Sequence, residues 1–147
     1  MKRKVHVVLG ASLGASIPAV MGASSLDRLL GLLFGALGGY IPDLDLRRQH
    51  RVLLHNVLSA IVFALTATLA VGVFSNNWSL AACAGLAYLA GHISHIVADM
   101  FTERGVALLY PWSTRRYRLA RFRSDNEVLN SLFALLAALL ALLAIKG

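Results

Sequence analysis

Apolar residues fall in five runs, about Val5 to Met21, Leu26 to Tyr40, Val52 to Phe74, Leu80 to Phe101 and Asp125 to Ile145, with polar or charged stretches between them. Runs of this kind predict an all-α, polytopic membrane bundle of about five transmembrane helices. In the first, Gly10, Gly14 and Ala15 make a small-residue face suited to close helix packing, and Pro18 is a point at which the helix would kink. The second carries Gly31, Gly35, Gly38 and Gly39, and its 15 residues reach only about 22 Å, short of a ~30 Å hydrocarbon core. Its far end is therefore expected below the membrane surface. There, in Ile41-Pro42-Asp43-Leu44-Asp45, the proline disfavours helix at Ile41, so the chain is expected to continue extended, with both carboxylates on one side. An isolated D-x-D is equally compatible with a turn whose carboxylates are solvated.

The third run places His55 one turn into a helix that begins near Val52, on the face of Arg51, with His50 just ahead of it. Trp78 precedes the fourth run as an interfacial anchor. Ser124-x-x-Glu127 reads as a capping box for the fifth, whose Leu/Ala composition after Asn130 suits a lipid-facing support. Between the last two runs lies a long loop, Thr102 to about Arg123, with six arginines: Arg104, Arg115, Arg116, Arg118, Arg121 and Arg123.

Composition agrees with the pattern. Hydrophobic residues make up 58% of the 147, only 14% are charged, and mean hydropathy is +0.69, which excludes a soluble domain of this size. The lone Cys83 excludes an intramolecular disulfide framework and a cysteine-cluster zinc site. A formal charge of +7 could suggest nucleic acid, but the basic residues sit between apolar runs with no interleaved aromatic pattern, so no nucleic acid is expected. The basic leader Met1-Lys2-Arg3-Lys4 resembles that of a signal peptide, yet no small-residue cleavage site ends the run behind it; a retained first helix is expected.

Charge also sets an expected orientation. Of the 14 Lys and Arg, all but Arg28 and Lys146 flank the N-terminus, the second-to-third connection or the fourth-to-fifth loop. The positive-inside tendency puts these three in the cytoplasm and the C-terminus outside. All five histidines, with Asp43, Asp45 and Asp99, then collect in the cytoplasmic leaflet of a multi-pass membrane protein.

The densest part of this set is Gly91-His92-Ile93-Ser94-His95-Ile96-Val97-Ala98-Asp99. His92, His95 and Asp99 fall at i, i+3 and i+7, so they line one helix face, which Tyr88 extends. Ionisable groups at membrane depth are costly and usually mark a function. With His6, Asp43, Asp45, His50 and His55 brought to the same level, the stripe becomes one wall of a site of imidazole and carboxylate, suited to Zn²⁺ or, with more carboxylate and water, to Mn²⁺ or Fe²⁺. So many ligands exceed the needs of one tetrahedral ion, so one or two ions are expected, a pair sharing a carboxylate.

Ile41-Pro42-Asp43-Leu44-Asp45, His50-Arg51-x-x-x-His55 and Gly91-x-x-Ser94-His95-x-x-x-Asp99-x-x-Thr102-x-x-Gly105-Val106-x-Leu108-Leu109-x-Pro111 together resemble the membrane-bound metal-dependent hydrolase family, also described as LexA-binding, inner-membrane-associated hydrolases and distantly similar to zinc-dependent phospholipase C. The resemblance implies that residues 1–147 form one membrane-embedded hydrolase domain with Asp43, Asp45, His50, His55, His95 and Asp99 as metal ligands, and His6 matching an N-terminal histidine of that family. Leu46 stands where many members carry His, Leu54 and Asn56 replace Thr and Ser, and His92 replaces Tyr.

The expected activity is hydrolysis of a phosphoester of a membrane lipid or another anionic, membrane-associated substrate by metal-activated water. Asp43 or Asp45 would be general base, and Arg51 would neutralise phosphate charge. A divalent-cation transporter would need polar groups through the full membrane thickness, and the third and fifth runs lack them. A non-catalytic adaptor with a structural metal is the remaining alternative; a coordinatively closed site would mark it.

Overall fold

Polar caps cut the apolar sequence into helices. The computed structural model describes residues 1–47 and 52–146, with α1 at Arg3–Val20, α2 at Ser25–Tyr40, a 3-10 turn at Ile41–Arg47, α3 at Val57–Ser75, α4 at Trp78–Met100 and α5 at Glu127–Lys146. Ser24 and Asp27 form a reciprocal capping box at α2. Asn56 accepts from Ser59 N at 2.8 Å and starts α3, and Asn77 accepts from Leu80 N at 3.1 Å and starts α4. The α5 cap is Asn126, which accepts from Leu129 N at 2.9 Å; the capping box expected at Ser124 gives way to a simple cap two residues on, because Leu129 has no side-chain acceptor to return the bond. Pro18 lies in the last turn of α1.

Two local expectations are corrected. Residues 41–47 are a 3-10 helix, nearer to the turn than to the extended stretch: Pro42 leaves Ile41 helical but tightens the turn. The third helix begins at Val57, because the Asn56 side chain claims the Ser59 amide and leaves Val52 to Asn56 as a bend. His55 therefore sits immediately before the cap, outside the helix.

Among the described residues the structure is all-helical apart from two isolated bridges in the α4–α5 connection, Thr102 with Phe122 and Val106 with Tyr117. That connection folds back on the bundle: Leu119 N donates to Met100 O at 2.8 Å, Phe122 N to Phe101 O at 3.1 Å, and Val57 N to Leu108 O at 3.1 Å. It thereby satisfies orphan carbonyls at the end of α4 and an orphan amide at the start of α3. Its six arginines stay exposed.

Helices α3, α4 and α5 are long and apolar enough to cross a membrane. α2, with 16 residues, spans about 24 Å. The outer leucines of α5, Leu132, Leu135, Leu139, Leu142 and Leu143, are exposed, as befits a lipid-facing helix.

The interior of the bundle is organised by glycine. On α2, Gly31 and Gly35 lie against Gly14 and Gly10 of α1 so closely that a methyl group on any of them would strike the opposing carbonyl oxygen. Gly39 meets the His6 backbone in the same way. Toward α4, Gly38 abuts the Tyr88 carbonyl, and Gly91 of α4 abuts that of Gly35. α2 is thus clamped backbone to backbone between α1 and α4, the contact that small residues permit where lipid supplies no hydrophobic drive. The clamp brings the first turns of α1, the end of α2 and the last turns of α4 to one level.

Candidate metal centre

At that level the side chains of His6, Asp43, Asp45, His55, His95 and Asp99 are all buried, and His55, His95 and Asp99 are fully so. They come from four places: His6 from α1, the two aspartates from the 3-10 turn, His55 from the bend before α3, and His95 and Asp99 from α4.

His95 is oriented by the close approach of α2. Its Nδ1–H donates to the carbonyl oxygen of Gly39 at 2.8 Å, which leaves the Nε2 lone pair facing inward. A backbone carbonyl that fixes the tautomer and direction of an imidazole is the usual outer-sphere support of a metal-binding histidine. The Nε2 atom of His55 lies 3.2 Å from that of His95, and Asp99 Oδ2 lies 3.5 Å from the first and 3.7 Å from the second. Ligand atoms around a tetrahedral zinc, at its usual bond lengths, stand about 3.3 Å apart. The triangle His55, His95, Asp99 has that scale. Asp43 Oδ1 adds a fourth donor 3.7 Å from His95 Nε2.

A second group overlaps the first. His6, stacked on the His95 ring at 3.8 Å between centroids, directs Nε2 at Asp99 Oδ1 from 3.3 Å. Its Nδ1 is buried without a hydrogen-bond partner among the described residues. Beside the triangle, and among the described residues, the donors of His6, His95 and Asp99, and those of Asp43, His55 and His95, are also close enough together to hold an ion. Asp99, with Oδ1 toward His6 and Oδ2 toward His55, is the carboxylate that links the triangle to His6. The amino group of Met1 also lies 3.1 Å from Asp99 Oδ1. Buried imidazoles converging on carboxylates, with no cysteine in reach, fit a divalent transition metal.

Asp45 stands behind His55. Its Oδ2 accepts from Leu54 N at 2.9 Å, and its Oδ1 faces His55 Nδ1 at 3.2 Å. This is the carboxylate–imidazole pairing that orients a ligand. Burial alone would lower the pKa of His55, but the carboxylates of Asp45 and Asp99 outweigh it and raise the pKa above the ordinary 6.5.

His92, though on the same helix face, is not brought into either group. Its Nε2–H donates to Leu54 O at 2.8 Å, with Ser59 Oγ 3.4 Å away, and its Nδ1 accepts from the Tyr88 hydroxyl at 3.2 Å. With both nitrogens engaged it anchors the bend that carries His55. The two remaining sequence candidates, His50 and Arg51, lie outside the described residues.

Sequence reasoning missed Arg3. Its Nε lies 3.6 Å from Asp43 Oδ2, and its guanidinium sits 5.6 Å from the centroid of the Tyr40 ring. The side chain is 51% exposed, so this cation stands at the rim of the buried cluster. The signal was masked because Arg3 reads as part of a topogenic leader.

The family described as YdjM inner membrane protein matches residues 1–146 of the chain. Over 72 residues the chain is 43% identical to the inner membrane protein YdjM of Escherichia coli (strain K12), and equally to that of Shigella flexneri. The matched stretch is 48% of this chain and 34% of each relative, so the chain spans about a third of the length of the curated relatives it matches. No solved structure matches.

Proposed function

Because the chain belongs to the YdjM inner membrane protein family, we propose that its buried His/Asp cluster is the centre of a metal-dependent hydrolase acting on a phosphoester of a lipid at the cytoplasmic membrane surface. The observation that carries this reading is the convergence of His55 Nε2, His95 Nε2 and Asp99 Oδ2 within 3.2 to 3.7 Å, with the His95 lone pair directed inward by Gly39. A divalent ion held there, zinc by the donor set or else manganese or iron, would lower the pKa of a water toward neutrality and polarise a phosphoryl oxygen.

The protein's own groups divide the remaining work. His55, His95 and Asp99 would hold the ion, with His6 completing the set. Asp45 keeps the His55 ring in register. Asp43 is the general base: it is 8% exposed, and its Oδ2 faces the rim while Oδ1 faces the cluster, so it can take a proton from the attacking water. Arg3 neutralises charge on the phosphate as it builds up, the part the sequence reading gave to Arg51.

A metal that only braces the bundle is the second reading, favoured by the complete burial of His55, His95 and Asp99. One experiment separates the two. Protein purified in detergent without chelators is assayed for transition metal and for phosphate release from a panel of lipid phosphoesters, beside Asp43→Asn. Near-stoichiometric metal, with release that Asp43→Asn abolishes while keeping its metal, is the expected result. Metal without release establishes the brace, and protein that stays empty after reconstitution with Zn²⁺ or Mn²⁺ overturns both.

A further inference from the structure

A groove of about 720 Å³ runs along the outside of α1 and α2 and is walled on its far side by Ala141 and Ala144 of α5. Its floor is apolar: Val7, Ala11 and Ala15 from α1, and Leu29, Leu32 and Ala36 from α2. Among its lining residues only Ser12, Ser25 and Arg28 are polar. Ser12 returns its hydroxyl to Val8 O at 3.0 Å, and Arg28 closes the distal end, donating from Nη1 to Ala144 O at 3.4 Å.

Helical register ties the other end to the metal centre. Arg3 is one turn before Val7, and Tyr40 is one turn after Ala36, so the two stripes that floor the groove rise to the Arg3–Tyr40 pair. Arg3 in turn contacts Asp43. Charge and apolarity are therefore ordered along one line: carboxylate cluster, exposed guanidinium, hydrocarbon trough. Along α2 the trough runs from Ser25 to Ala36, about 16 Å at the helical rise and close to half of a ~30 Å hydrocarbon core.

Resting on the hydrolase reading above, we infer that this groove holds the hydrocarbon tail of the substrate, so that the substrate is a lipid phosphoester bound with its phosphate on Arg3 beside Asp43 and a chain lying between α1, α2 and α5. The cation at the proximal end supplies charge complementarity to the phosphate, and the trough has the depth of a single leaflet. The site would thus take its substrate laterally from the membrane and discriminate against short, water-soluble phosphoesters, because the tail is the part the protein buries.

The test is photolabelling of the metal-loaded protein in nanodiscs by a lysophosphatidic acid with a diazirine at the end of its acyl chain, with labelled peptides mapped by mass spectrometry. Labelling needs no turnover. The expected label falls on Ala11 to Ala15, Leu29 to Leu32 and Ala141 to Ala144. It weakens about tenfold in Arg3→Gln, the size of one lost charge-assisted hydrogen bond, and it is lost in Ala36→Trp, whose metal content is unchanged. Label spread evenly over the outer faces of α3 and α5, or a groove covered by a second copy in cross-linking, overturns the inference. If the protein releases phosphate yet labels only its outer faces, the groove assignment falls and the hydrolase reading stands. If the groove labels but no lipid phosphoester is cleaved, the hydrolase reading falls and the occupant is not a substrate.

Discussion

His55 and His95 face each other with their Nε2 atoms 3.2 Å apart, the first presented by the bend before α3 and the second by α4. Two buried imidazoles held this way set their lone pairs against each other unless a cation or proton lies between them. His95→Ala is expected to lose all tightly bound transition metal, and Asp45→Ala, which only disorients His55, to weaken metal affinity about 10- to 100-fold. Metal content by elemental analysis after dialysis against a graded competitor would separate the two. Equal loss in both variants would make Asp45 a direct ligand.

His92 supplies the contrasting case. His92→Phe removes one of the two donors to Leu54 O, which keeps the Ser59 hydroxyl at 3.0 Å, and takes the acceptor from the Tyr88 hydroxyl; an unsatisfied buried polar group costs about 1–3 kcal/mol. Its thermal midpoint in detergent is expected to fall while metal stoichiometry at saturating Zn²⁺ holds. A variant of full stability that binds no metal would return His92 to the ligand set.

The glycine clamp gives a third expectation. A methyl group at Gly35 would strike the Gly10 carbonyl oxygen, a backbone atom that cannot rotate away. Gly35→Ala should therefore destabilise by about 1–3 kcal/mol or more, the range for overpacking a close contact. Metal affinity should fall with it, because α2 also carries the Gly39 carbonyl that aims His95. Thermal unfolding and metal titration on the same sample check both, and an unchanged midpoint would contradict the packing described.

The raised pKa of His55 gives a pH dependence with opposite signs in the two forms of the protein. In the metal-free protein the fold favours the protonated ring. That contribution is complete below the ordinary 6.5 and is lost as pH rises through the higher folded value. A metal needs the neutral ring, so its affinity falls as pH drops through that same value, at a higher pH than for an isolated histidine. Competitive zinc titrations from pH 6 to 9, beside His55→Gln with its residual affinity, would reveal this; an identical pH profile in the variant would remove His55 from the linkage.

Much of this architecture was legible in the sequence because its determinants are local. Apolar runs and short polar breaks mark all five helices, and the i, i+4 spacing of His95 and Asp99 puts them on one helix face. What failed depended on which of two local partners wins. Asn56 captures the Ser59 amide and so moves the start of α3 past His55, and Pro42 permits a 3-10 turn where an extended stretch was expected. His92 stands apart from the cluster for a different reason: periodicity gives the direction of a side chain but not its partner, here a carbonyl contributed from 38 residues away. Arg3 was hidden because a basic leader has a topogenic explanation that stops the search.

No side chain separates α2 from the helices on either side at the glycine contacts, so the spacing of the ligand-bearing segments is set by main-chain atoms that have no alternative rotamers. The leucine coat of α5 and the outer face of α3 are instead exposed, on helices that contribute no glycine to that seam. The two layers are separable by design: the outer leucines could be exchanged for polar residues to make a water-soluble analogue, while the seam of glycines is carried over unaltered as the minimal frame of the His/Asp cluster.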